Sequence, residues 1–224
     1  MIRAALFDMD GTMFDTERIY SEGWLAGAKQ YGYPLTEEML VAFHGQSPEE
    51  NCKNFKNLFG EDARYWEVRD VRRKYVEEKL AKYGVPVKPG LFRILPALRE
   101  RGIRICIATA TARERAEALW AKTGITPYID FAVCGDEVTA CKPDPEIFLA
   151  AAAKCQASPS ECLVLEDAAN GIRAAHRAGC HPILIPDTEP VTDEMRRLAE
   201  HIFPSLVEVS EWIEGGKKGE VKDF

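Results

Sequence analysis

The chain has 224 residues, of which 46% are apolar and 29% charged, as in an ordinary soluble globular protein. Its net charge of −7 argues against a nucleic-acid partner, because phosphate backbones are held mainly by clustered Lys and Arg side chains. No window approaches the ~20 apolar residues of a membrane span, and Asp8 interrupts the first apolar run too early for a signal peptide. With seven dispersed cysteines and no CxxC pair, the sequence predicts a cytoplasmic protein without a membrane partner.

The first predicted element is a strand over residues 3–7, which are nearly all small or apolar. No convincing strand follows until about residue 85. Helical periodicity instead predicts four helices in this stretch. Their expected ranges are 16–31, 36–43, 48–59 and 63–83.

Beyond residue 87, predicted helices and strands alternate. The helices are expected at 91–101, 112–123, 145–154 and 168–178, and the strands at 103–109, 131–134, 162–166 and 181–185. This alternation favours βαβ units around a parallel sheet with helices on both faces. We therefore predict a doubly wound α/β core domain, residues 1–15 and 87–224, interrupted by a helical domain, residues 16–86.

Polar side chains stand where three of these strands end. Asp8 and Asp10 follow the first strand, Thr109 ends the strand at 103–109, and Glu166 and Asp167 end the strand at 162–166. Ligands of an open parallel sheet bind outside the carboxyl ends of its strands, so these side chains are expected at one edge. A nearby loop, "CKPDP", adds Lys142.

Converging carboxylates repel one another unless a cation neutralises them. Mg²⁺ prefers one or two carboxylates together with waters and substrate phosphate oxygens. A lysine and a hydroxyl suit the remaining oxygens of a phosphoryl group, and a carboxylate nucleophile can accept that group as an aspartyl phosphate. The pattern predicts phosphoryl transfer with Mg²⁺ as the cofactor.

Four segments carry a family resemblance. "FDMDGT" (7–12), Thr109 after an apolar strand, Lys142 in "KPDP" and "LEDAANGIRAAHRAG" (165–179) resemble the four motifs of the haloacid dehalogenase superfamily. The helical insertion between the first two motifs resembles the four-helix cap of the β-phosphoglucomutase-like branch. The match spans nearly the whole chain, in order.

The resemblance implies a role for each motif residue. It makes Asp8 the nucleophile and a metal ligand, and Asp10 the general acid and base, with its backbone carbonyl on the metal. It implies that Thr109 and Lys142 hold the phosphoryl group during transfer. It also makes Asp167 a metal ligand and leaves Glu166 as either a ligand or a support for the ligands.

The same branch contains phosphatases and mutases, and two cap positions favour a phosphatase. Tyr20 stands where the mutases have a histidine, and "FHGQSPEE" replaces their Lys-Gly loop and following arginine. We therefore expect hydrolysis of a small phosphate monoester, such as a sugar phosphate or a nucleotide-like ester, by a monomer. The alternatives are a sugar-phosphate mutase and a non-catalytic binding protein, the latter disfavoured because no motif residue is missing.

Further residues are predicted for the substrate pocket, and several have a structural alternative. Trp24 is equally well explained as part of the cap core, His44 as a surface or capping residue, and Gly171 as a glycine that lets its helix approach the sheet. The predicted substrate residues are Thr16, Tyr20, Trp24, His44, Gly45, Ala110, Thr111 and Arg113.

Overall fold

A computed structural model describes residues 1–43 and 48–215 of the protein. The predicted substrate residues His44 and Gly45 lie outside the described residues. The chain divides into two compact units, one formed by residues 15–86 and the other by residues 1–14 and 87–224. Within the described ranges, no helix is both long enough and apolar enough to span a bilayer.

The unit of residues 15–86 is helical where it is described. Its helices are α1 (Glu17–Gln30), α2 (Glu37–Leu40), α3 (Pro48–Phe59) and α4 (Tyr65–Tyr83), with a 3₁₀ turn at Val41–Phe43. Its core is aromatic: the ring of Trp24 packs 5.5 Å from that of Phe43 and 5.6 Å from that of Tyr65. Trp24 is only 4% exposed, so its contacts are those of a core residue of this unit.

The other unit is built on a six-stranded parallel sheet in the order β3-β2-β1-β4-β5-β6. The strands are β1 (Ala4–Phe7), β2 (Arg104–Ala108), β3 (Phe131–Val133), β4 (Cys162–Glu166), β5 (His181–Leu184) and β6 (His201–Ile202). All four residues of β1 are fully buried, because β1 lies between β2 and β4. Phe7 is in register with Ile107 and with Leu165, so the three central strands end together.

Helices connect these strands, as expected of a doubly wound sheet, and one more helix follows the last strand. They are α5 (Leu91–Glu100), α6 (Arg113–Thr123), α7 (Glu146–Lys154), α8 (Ala169–Ala178), α9 (Asp193–Leu198) and α10 (Leu206–Ile213). The predicted fold class is confirmed. The sequence did not reveal β6, α9 and α10, which are all short: β6 has two residues, α9 six and α10 eight.

Candidate active site

Asp8 and Lys142 form the centre of the site, at the end of β1. The backbone N–H of Asp8 continues the ladder by donating to the carbonyl of Leu165, at 2.9 Å. The Lys142 ammonium lies 2.5 Å from Oδ1 of Asp8, 2.7 Å from Oε1 of Glu166 and 3.1 Å from the carbonyl oxygen of Ala108. Lys142 is only 4% exposed. Its three N–H groups therefore have three protein acceptors, which fix the ammonium beside both carboxylates.

Burial and pairing set the charges of this group. Burial raises the pKa of Asp8 to about 7, although the Lys142 ammonium acts in the opposite direction. Burial alone would lower the pKa of Lys142, but the Asp8 and Glu166 carboxylates outweigh it and hold that pKa above its usual range. Lys142 is therefore a permanent cation, and Asp8 is the group whose charge depends on its surroundings.

Glu166 is held by the backbone just before α8 as well as by Lys142. Its Oε2 accepts hydrogen bonds from the backbone N–H groups of Asp167, at 2.9 Å, and Ala168, at 3.1 Å. A Cβ at Gly171, on the first turns of α8, would lie 1.8 Å from Oε1 of Glu166. The absence of a side chain at Gly171 thus makes room for the Glu166 carboxylate, and both oxygens of that carboxylate have protein donors.

Three buried carboxylates could hold a metal ion. Asp8, Glu166 and Asp167 each offer one oxygen, and these oxygens lie within 4.8 Å of one another. An all-carboxylate donor set suits a hard cation such as Mg²⁺, so the residues fit the predicted cofactor. Lys142 and backbone donors engage both oxygens of Glu166, and Lys142 also engages Oδ1 of Asp8. Which of the three carboxylates bind the ion directly stays a prediction.

Asp10 is linked to the loop that follows β2. The Thr111 hydroxyl donates to Oδ2 of Asp10 at 2.7 Å, and the backbone N–H of Thr111 donates to the Thr109 hydroxyl at 3.1 Å. The Thr109 side chain is buried, with 1% of the residue exposed. The two hydroxyl groups and Asp10 therefore form one connected set, which brings the second motif next to the first.

The remaining predicted substrate residues have different surroundings. The Arg113 guanidinium is held by Glu137, at 2.6 Å, and by Glu117, at 3.2 Å, while Ala110 is exposed in the loop after β2. In the helical unit, Thr16 is fully buried just before α1. Tyr20 lies beneath the Arg72 guanidinium, 5.2 Å from it. Their roles stay predictions.

Sequence reasoning missed one residue of the first motif. Thr12 is fully buried, and its hydroxyl donates to Oδ1 of Asp167 at 3.3 Å. This bond joins the loop after β1 to the loop after β4. The sequence did contain a signal for this contact, since Thr12 stands two positions after Asp10 in a loop expected to lie among acidic side chains.

Comparison with known proteins identifies the family. The model of haloacid dehalogenase-like hydrolases matches residues 2–179, a range that contains all four predicted motifs. The chain belongs to this family. The resemblance inferred from the motifs is thereby confirmed.

Individual relatives agree with the expected branch of these hydrolases. A phosphorylated carbohydrates phosphatase of Thermotoga maritima is 30% identical over 188 residues, covering 81% of this chain and 84% of its own. β-Phosphoglucomutase of Bacillus subtilis is 28% identical over 200 residues, covering 85% and 86%. The crystal structure of CbbY from Rhodobacter sphaeroides in complex with phosphate has a TM-score of 0.78 at 24% identity, covering 93% and 96%.

Proposed function

We propose that the protein is a Mg²⁺-dependent phosphatase that hydrolyses a small phosphate monoester through a phosphorylated Asp8. The main support for this proposal is the cluster of buried charged side chains at the end of β1, where Asp8 is paired with Lys142 beside Asp167 and Glu166. The similarity to a phosphatase acting on phosphorylated carbohydrates supports this choice of substrate class.

Asp8, Asp10 and Lys142 would carry the chemistry. An oxygen of Asp8 attacks the phosphorus and the bond to the ester oxygen breaks, while Asp10 gives its proton to the departing alcohol. Asp10 then takes a proton from water as the water oxygen attacks the same phosphorus, which releases inorganic phosphate and restores the Asp8 carboxylate. Lys142 and the Thr109 hydroxyl hold the phosphoryl oxygens.

The metal ion would be held by Asp8 and Asp167, with Glu166 in support. When bound, Mg²⁺ supplies positive charge that favours ionised Asp8 and neutralises phosphoryl oxygens. The chain itself keeps this region buried and supplies the fixed cation, Lys142. Thr111 holds Asp10 through the 2.7 Å hydrogen bond.

The first test is hydrolysis of p-nitrophenyl phosphate with Mg²⁺ and with EDTA, by the wild type and by Asp8→Asn. Asp193→Asn, an exposed aspartate in α9, is the matched control. We expect turnover only with the metal, loss of turnover in Asp8→Asn and wild-type turnover in Asp193→Asn. Full activity in EDTA or in Asp8→Asn would overturn the mechanism, and a panel of sugar phosphates and nucleoside monophosphates would then define the substrate.

A sugar-phosphate mutase is the second candidate, because one relative is a β-phosphoglucomutase and because the helical unit carries a cation. The Arg72 guanidinium lies over the rings of Tyr20 and Trp24, at 5.2 and 4.9 Å. A mutase must retain a bisphosphate intermediate, for which such a cation is suited. Incubation with β-glucose 1-phosphate separates the two: the phosphatase releases inorganic phosphate, whereas a mutase forms glucose 6-phosphate.

A further inference from the structure

The turn that follows β3, residues Gly135–Glu137, contacts the loop that follows β2. The backbone N–H of Gly135 donates to the Thr111 carbonyl at 3.1 Å. The backbone N–H of Arg113 donates to Oδ1 of Asp136 at 3.0 Å, and the Arg113 guanidinium donates to Oε1 of Glu137 at 2.6 Å. Every residue of this turn thus bonds either to the loop of residues 109–112 or to Arg113, the first residue of α6.

Gly135 also comes unusually close to this loop. A Cβ at position 135 would lie 2.1 Å from the carbonyl oxygen and 2.7 Å from the carbonyl carbon of Ala110. Gly135 does not have a positive φ, so the contact with Ala110, and not backbone strain, requires glycine here. Because the opposing atoms are backbone, any side chain at position 135 would push the loop away by about 1 Å to restore ordinary contact.

The turn itself is well anchored. Oε2 of Glu137 accepts from the backbone N–H of Cys134 and from the Lys154 ammonium, both at 3.2 Å. The same ammonium donates to the Ala132 carbonyl at 2.7 Å, which ties α7 to β3. The turn can therefore act as a fixed surface against which the loop rests.

We propose that the Gly135–Glu137 turn is a positioning element for the phosphoryl-binding loop, an inference that rests on the proposed function. The loop carries Thr109, which would hold the transferring phosphoryl group, and Thr111, which holds Asp10. Displacing the loop moves both hydroxyl groups together. Gly135 and Asp136 thus act on the reaction through Thr109 and Thr111, without touching the substrate.

Gly135→Ala tests whether the close contact between Gly135 and Ala110 positions the loop. Ile94→Val is the control for effects that come only from lost stability. Ile94 is fully buried in α5, so its shortening also lowers the melting temperature. For Gly135→Ala we expect kcat to fall about 10²-fold, the effect of a displacement near 1 Å. The affinity for inorganic phosphate with Mg²⁺, measured by calorimetry, should fall about tenfold, as for one lost hydrogen bond to a charged group. Ile94→Val should keep both values.

Wild-type kcat and phosphate affinity in a folded Gly135→Ala would overturn the proposal. Should this variant not fold, Asp136→Ala removes only the acceptor of the Arg113 N–H, whereas Asp136→Asn retains an oxygen there. We expect Asp136→Ala to lower kcat and phosphate affinity and Asp136→Asn to restore them. Equal behaviour of these two variants would contradict the proposal.

The two proposals fail in different ways. If the wild type hydrolyses no phosphate ester, the proposed function is wrong. The phosphate affinities of the wild type and the turn variants then test the role of the turn by themselves. If the wild type is active and the turn variants keep its kcat and phosphate affinity, only the positioning role is wrong.

Discussion

Replacing Lys142 with methionine tests the electrostatic core of the site. The Lys142 side chain is 3% exposed, that of Glu166 2% and that of Asp8 12%. Methionine keeps most of the apolar stem but leaves two buried carboxylates without their cation. Removing one partner of a buried ion pair costs about 3–5 kcal/mol, so we expect Lys142→Met to lose about that much free energy of unfolding at alkaline pH.

The pH dependence of this loss has a definite sign. Burial already raises the pKa of Asp8 to about 7, and without the ammonium beside it the pKa rises further. A carboxyl whose pKa is raised by folding stabilises the folded state when protonated. The deficit of Lys142→Met should therefore be complete above the further raised pKa of Asp8 in the variant and shrink as the pH falls to about 7, below which Asp8 is protonated in both folded proteins.

Urea unfolding in EDTA at about pH 8.5 and about pH 5.5, on either side of the Asp8 pKa, measures both effects. Lys53→Met is the matched control, because Lys53 pairs with Glu50 at the surface, 2.9 Å away. Such exposed pairs contribute about 0–1 kcal/mol. A Lys142→Met variant as stable as Lys53→Met at both pH values would show that the Lys142 ammonium does not stabilise the buried carboxylates.

Three further predictions concern neighbouring groups. Gly171→Ala should lower both stability and kcat, because its Cβ would lie 1.8 Å from the Glu166 carboxylate that holds Lys142; a wild-type melting temperature together with wild-type kcat would contradict this. The hydrogen bond from Arg113 lowers the pKa of Glu137 to about 2, so its contribution to stability is present above the ordinary value of 4.5 and is lost as the pH falls toward 2. Glu137→Gln should therefore show a flatter decline of melting temperature with acid than the wild type, and parallel curves would count against it. Mg²⁺ should raise the melting temperature of the wild type, since a ligand that binds only the folded state stabilises it, and the increase should vanish in Asp167→Asn, which removes one of the three carboxylates.

The parallel sheet could be predicted because its strands are short, apolar and separated by helices of regular period. The ends of β1, β2 and β4 could likewise be predicted to meet, since all parallel strands present their carboxyl ends at one edge. The strand ends therefore predict that Asp8, Glu166 and Asp167 lie together beside Lys142, and the structure has them in contact. The last strand, β6, was not recognised, because it pairs only through His201 and Ile202.

The contacts that hold the site in position were harder to predict. A motif shows that Thr109 and Lys142 are suited to a phosphoryl group, but it does not show that Thr111 donates to Asp10 or Thr12 to Asp167. These bonds join residues more than a hundred positions apart and depend on how loops from different strands pack. The same holds for Gly135, whose need for glycine arises only from the backbone of Ala110.

Trapping the phosphorylated enzyme shows whether Asp8 is the nucleophile. The wild type is mixed with substrate and Mg²⁺, quenched in acid and reduced with borohydride, which converts an aspartyl phosphate to homoserine. Peptide mass spectrometry then locates the modified residue. The mechanism predicts homoserine at position 8, dependent on both substrate and Mg²⁺. An active enzyme that yields homoserine at another aspartate, or at none, would contradict Asp8 as the nucleophile.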